Sequence, residues 1–92
     1  MLNKTHYANG QKTYEHIGDE IRIFFKNGNV KAKGKYVHSL MEDEWKYYRQ
    51  DGQLWQIGRF INGKKDGSWK RYNKDNQIEY EEYFKNGKIA RK

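Results

Sequence analysis

The groups in this chain that could do acid–base, nucleophilic or metal chemistry are few and scattered. His6, His16 and His38 stand at no spacing that would bring two of them, or one of them and a carboxylate pair, onto a metal ion. Ser39 and Ser68 lack the Gly-x-Ser-x-Gly surroundings of a strained nucleophile turn, and the neighbours His38 and Ser39 would point apart on a strand. Without cysteine there is neither a thiolate ligand nor a disulfide. The glycines fall at turn positions and form no phosphate-cradling loop. No catalytic residue, metal ligand set or cofactor is therefore expected, and the chain reads as a non-enzyme.

Binding chemistry is better represented. Glu42, Asp43 and Glu44 read as a solvated loop, with a metal site or a basic partner as the sharper alternatives. Glu79, Glu81 and Glu82 read as acids that pair with the cross-strand cations Lys70 or Arg71. Lys31, Lys33 and Lys35 alternate, so on a regular strand they put three cations on one face. Either that face is solvated or it meets an anion: phosphate on lipid headgroups or nucleic acid, or a partner's acidic patch. Lys64 and Lys65 join them as candidate anion-binding residues, beside a basic tail of Lys85, Lys88, Arg91 and Lys92.

Aromatic residues are the main candidates for contact with a partner. Trp45, Tyr48, Trp69 and Tyr72, with Tyr36, Phe60 and Phe84, recur at matched positions and would stack along a sheet as its core. A single sheet cannot cover both its faces, so part of that ladder, with Trp55, Ile57 and Ile61 behind it, stays open as an interface. Trp55 is informative because its equivalents are Lys31 and Glu79: the repeat does not need a ring there. The partner-binding set is thus Trp45, Tyr48, Trp55, Ile57, Trp69 and Tyr72.

These side chains must be positioned by one small domain, residues 1–92. A chain of this size buries only about 60–65% of its unfolded surface. Apolar residues make up 35% of it, nearly half of them aromatic, which suits a thin sheet better than a thick core. The net charge of +7 is not one basic stripe, because acidic clusters interrupt it. The polar stretch from Met1 to Gly10 argues against secretion or membrane insertion, and a cytoplasmic location is expected.

A shift of 24 residues superposes Trp45 on Trp69, Tyr48 on Tyr72, Phe60 on Phe84 and Asn62-Gly63-Lys64 on Asn86-Gly87-Lys88. The reverse shift brings in Ile21, Phe24, Asn27-Gly28, Gly34 and Tyr36. A partial copy starts at Asn9-Gly10, 18 residues before Asn27-Gly28. The units are about 9–26 (partial), 27–50, 51–74 and 75–92 (partial). Each reads as two strands, a six-residue loop such as Asn62 to Gly67, and a tight turn in which Asn76 replaces Gly28 and Gly52. Short connections force antiparallel pairing in chain order, and no segment holds a helical period. Trp45 and Tyr48 lie three apart, which strict alternation would place on opposite faces; a bulge, or Tyr48 at the turn, would reunite them.

The run Gly52-Gln53-Leu54, Phe60 to Lys70 and Tyr72 resembles the bacterial variant of the MORN repeat (membrane occupation and recognition nexus) over about residues 9–89. Ile21 in place of Trp, and the absence of both loop glycines from His38 to Asp43, depart from its pattern. The resemblance implies an all-β, single-layer curved antiparallel meander sheet of about three to four β-hairpin repeats. It also implies an interaction scaffold or a binder of phosphoinositide and membrane surfaces; short bacterial members include antitoxins. The expected function is a non-catalytic module that binds and inhibits or scaffolds a partner protein, such as a toxin or a defence enzyme targeted by a phage inhibitor. The alternative is a basic binder of anionic surfaces, whether phosphoinositide membrane or nucleic acid. A homodimer through the open sheet edges is a third expectation.

Overall fold

The computed structural model describes residues 5–90; Arg91 and Lys92 of the basic tail lie outside the described residues, as do residues 1–4. Eight strands follow in order: β1 (Tyr14–Ile17), β2 (Glu20–Phe24), β3 (Val30–Val37), β4 (Leu40–Tyr48), β5 (Leu54–Ile61), β6 (Lys64–Tyr72), β7 (Ile78–Lys85) and β8 (Lys88–Ile89). Each pairs antiparallel with the next in one open, curved sheet, and no helix occurs among the described residues. The all-β meander expected from the repeat is the fold observed. It measures 46 × 35 × 19 Å, the thickness of one sheet with its side chains.

Two kinds of turn alternate along the chain, and each recurs for a backbone reason. On one margin lie two-residue turns. Both central residues have positive φ at His38-Ser39 (52° and 63°), Asn62-Gly63 (51° and 79°) and Asn86-Gly87 (52° and 82°). That is the mirror-image hairpin turn whose twist matches the strands, and Asn-Gly is its preferred filling. The expected six-residue loop from Asn62 to Gly67 does not exist as such. Lys64, Lys65 and Asp66 already pair with Ile61, Phe60 and Arg59, so the two glycines serve separate features: a turn at Gly63 and a bulge at Gly67 (φ 73°). In the preceding copy Asp43 (φ 59°) occupies the bulge position, so the stretch from His38 to Asp43 keeps the same shape without glycine.

On the other margin a five-residue turn recurs four times. The N–H of Arg49 donates to the carbonyl of Gln53 at 2.8 Å, and that of Gly52 donates to the carbonyl of Arg49 at 2.9 Å. The same pair of bonds closes Tyr7–Gln11, Phe25–Asn29 and Asn73–Gln77. Side-chain amides tie each of the first three turns to the next: Asn9 donates to the Lys26 carbonyl (3.0 Å), Asn27 and Asn29 to that of Gln50 (3.2 and 2.7 Å), and Gln53 to that of Lys74 (2.6 Å).

The core is built within the single layer. Trp45 and Ile21 are fully buried, and Ala32, Phe60 and Trp69 nearly so. Trp45 lies flat over Gly34, where a Cβ would come within 2.4 Å of its ring; Trp69 lies over Gly58, where a Cβ would come within 2.0 Å. Each indole N–H donates to the carbonyl just past that glycine, Lys35 at 2.9 Å and Arg59 at 3.0 Å. Phe60 stands edge-on between the two rings, at 6.1 Å from Trp45 and 5.0 Å from Trp69, and Phe84 continues the series at 6.4 Å.

Removing Trp69 (Trp69→Ala) should cost about 3–5 kcal/mol. Gly58→Ala should lower the urea midpoint by the equivalent of about 2–3 kcal/mol, because a methyl group would displace the ring. Ser39→Gly should raise stability by about 1 kcal/mol by relieving a left-handed non-glycine residue. A Gly58→Ala protein as stable as the wild type would show that Trp69 does not rest on that glycine.

Candidate interaction surface

Strand registers sort the side chains into two faces. Across one face runs the row Tyr14, Ile23, Ala32, Tyr47, Gln56, Arg71, Tyr80, each the register partner of the next. Beside it lie Ile21, Gly34, Trp45 and Gly58, so this is the aromatic face. Across the other runs Glu15, Arg22, Lys33, Lys46, Ile57, Lys70, Glu81. That face is charged.

The six expected partner-contact residues separate into three groups. Trp45 and Trp69 are core. Tyr48, Ile57 and Tyr72 lie on the charged face, Tyr48 with the Lys33 ammonium 5.8 Å from its ring centroid. Trp55 stands apart from both groups. The ladder position expected for Tyr48 belongs to Tyr47, which the sequence reading missed; its ring bridges Trp45 at 6.3 Å and Trp69 at 6.1 Å. Alternation holds through Trp45, Lys46, Tyr47 and Tyr48. The bulge is on the facing strand, where Tyr47 pairs with Gln56 and Tyr48 with Leu54, leaving Trp55 unpaired. That irregularity re-aims Trp55, whose ring lies 5.0 Å from the Arg71 guanidinium.

The expected cation row on β3 is corrected by the same device. Lys31 is the unpaired residue of a bulge between Val30 and Ala32, and its ammonium lies 5.9 Å from the Phe25 ring. Only Lys33 and Lys35 share the charged face, and Lys35 pairs with Asp43 at 3.7 Å. Neighbouring Lys64 and Lys65 alternate, Lys65 going to the aromatic face with its ammonium 4.8 Å from both the Trp69 and Phe84 centroids. Glu42, Asp43 and Glu44 belong to a strand, not a loop. Asp43 bridges Lys35 and Arg59, both at 3.7 Å, Glu44 reaches Lys46 at 3.9 Å, and Glu42 accepts the Asn62 N–H at 3.0 Å. Among the described residues no group of three His, Cys, Asp or Glu could hold a metal ion. Glu81, opposite Lys70, accepts the hydroxyls of Ser68 (2.7 Å) and Tyr83 (3.2 Å). Glu82 falls on the aromatic face opposite Trp69 and accepts the Tyr80 hydroxyl at 3.2 Å.

A further feature is a margin of exposed apolar side chains on the charged face. Ile17, Val37 and Ile61 each precede a two-residue turn, and Leu40 follows one; Ile17, Leu40 and Ile61 are 50%, 41% and 48% exposed. The signal was available in the sequence, since Ile61 falls 24 residues after Val37. No helix of the described residues is long and apolar enough to cross a membrane. Burial pushes the Tyr47 phenol up to about 12. Tyr80 is held above its ordinary value by local desolvation, then by the Glu82 charge and hydrogen bond, against an opposing pull from Arg71.

Compared with known families, residues 44–62, 65–86 and 77–92 match the model of the MORN repeat variant. No curated protein and no solved structure matches the chain.

Since the folded state favours the neutral Tyr47 phenol, this group's contribution to stability is complete below its unfolded value of 10.0 and is lost as pH rises toward about 12. Urea midpoints followed across that alkaline window should fall more steeply for the wild type than for Tyr47→Phe. Parallel curves would refute the burial of this hydroxyl.

Proposed function

The chain belongs to the MORN repeat variant family, and on that premise we propose that it is a non-catalytic interaction module that binds a partner protein and holds or inhibits it. The observation that carries this reading is the apolar margin formed by Ile17, Leu40 and Ile61, each more than two-fifths exposed on a chain that is 34% charged. Leaving these side chains in water has no packing benefit for the sheet, whereas a partner that covers them gains their burial. The sequence resemblance to a family whose short bacterial members include antitoxins makes a toxin or a defence enzyme the first partner to test.

The alternative, an anionic membrane or nucleic-acid surface, draws on the net charge of +7. Against it, Arg22, Lys35, Lys46 and Arg59 on the charged face each have a carboxylate within 4 Å, so much of their charge is already met. Self-association through the strand edges would use the outer side of β7, where β8 pairs only with Phe84 and Lys85. Glu79, Glu81 and Glu82 on that strand oppose pairing with a second copy of itself.

In-cell cross-linking of the tagged chain should recover a defined protein at ordinary salt, and Ile61→Glu should lose it while keeping the wild-type urea midpoint within about 0.5 kcal/mol. Recovery of no protein, together with vesicle or oligonucleotide binding that weakens as salt rises, would replace this reading with the alternative.

A further inference from the structure

We propose that the hollow on the aromatic face of β5, β6 and β7 docks an acidic segment of the partner protein, with Lys65 and Arg71 each receiving a carboxylate; the proposal rests on the protein-binding reading above. The first observation is a comparison of copies. Twenty-four residues before Lys65 and Arg71 stand Met41 and Tyr47, both packed against the core. The repeat is therefore built with apolar groups at these two positions, and the later copy has replaced both with cations. Placing a cation on a ring-lined surface costs desolvation that the framework does not require.

The second observation is that these cations are held but not neutralised. The Lys65 ammonium sits 4.8 Å from the centroids of Trp69 and Phe84, and the Arg71 guanidinium 5.0 Å from Trp55 and 5.3 Å from Tyr80. Arg71 donates one hydrogen bond to the Gln56 side chain at 3.2 Å, while its buried Nε has no acceptor. Neither cation has a carboxylate within ion-pair distance among the described residues, in contrast to Arg22, Lys35, Lys46 and Arg59 on the other face. The acid on this side, Glu82, lies opposite Trp69, takes the Tyr80 hydroxyl and is not among the walls of the hollow. The rings fix both cations in place without cancelling their charge, so an incoming carboxylate meets donors whose conformational freedom is already reduced.

Size and shape choose the occupant. The hollow holds about 290 Å³ and lies just below the roughly 300–1,000 Å³ range of small-molecule pockets. It suits side chains of a peptide better than a whole cofactor. Stacked nucleobases are disfavoured because the faces of Trp69, Phe84 and Trp55 that a base would use are occupied by Lys65 and Arg71.

The test titrates the ¹⁵N-labelled full chain with a hexaglutamate peptide at low salt and follows the three indole N–H signals. Trp55 and Trp69 should shift and Trp45 should not. Lys65→Gln and Arg71→Gln should each weaken binding by about five- to tenfold, the scale of one partly exposed charge-assisted contact. Lys46→Gln, on the opposite face, should leave it unchanged, with urea midpoints confirming that every variant is folded. Unmoved Trp55 and Trp69 signals, or full-strength binding by both variants, would overturn the proposal. So would tighter movement of the same signals by an oligothymidylate, which would make this a nucleic-acid site. A cross-linked partner that binds the Lys65→Gln, Arg71→Gln double variant as well as the wild type would remove the docking site and leave the protein-binding reading standing. Hexaglutamate binding with no recoverable partner would do the reverse.

Discussion

Everything in this molecule depends on an indole ring resting on a glycine. A sheet with no second layer has nothing across from it to pack against, so its core must lie within the thickness of its own side chains. Only a large flat ring laid along the surface covers enough neighbouring backbone, and it can lie flat only where the strand beneath carries no Cβ. Gly34 under Trp45 and Gly58 under Trp69 meet that condition, and the indole N–H closes it by reaching the next carbonyl. Phe60 and Tyr47 then fill the space between the rings. The 24-residue spacing is the chain length needed to go from one such seat to the next and return in register.

Much of this was legible in the sequence because the features recur. Matching tryptophans, turn glycines and Gly34 with Gly58 announced a repeated hairpin, and the absence of any helical period left a meander as its assembly. What was not legible came from irregularities that each shift the pleat by one residue. Alternation counted along β3 put Lys31 beside Lys33 and Lys35, but a bulge removes it from their face. The same kind of bulge re-aims Trp55. Gly63 and Gly67 looked like the two ends of one loop because nothing in residue type distinguishes a turn glycine from a bulge glycine; the difference lies in hydrogen bonds made by the residues between them. Tyr47 and Tyr48 are identical neighbours, and choosing between them required counting from Trp45 by two instead of trusting the match with Tyr72.

The candidate interaction surface was legible chiefly where copies disagree. Positions that every copy fills alike serve the sheet; those filled alike except in one copy are available for other work. Trp55 was visible in this way from its equivalents Lys31 and Glu79. Lys65 against Met41 and Arg71 against Tyr47 carried the same signal, but Tyr47 had not been recognised as a framework residue, so its replacement passed unnoticed. On the charged face the distribution of acids, more than the net charge, decides what the cations can do. Asp43, placed by its left-handed backbone between Lys35 and Arg59, occupies two of them at once.

The seats also give the sheet a direction. Each tryptophan takes its glycine seat from the strand before it, while the strand after it adds only a ring at its edge, Phe60 for Trp45 and Phe84 for Trp69. β1 presents His16 where β3 and β5 present glycine, and the residue that would need the seat is accordingly Ile21. At the other end Glu82 stands where a third glycine would be, so β7 offers no bed for another ring. Damage to a given strand therefore unseats the indole downstream that leans on it, whereas upstream it removes an edge-on ring and leaves the seat intact.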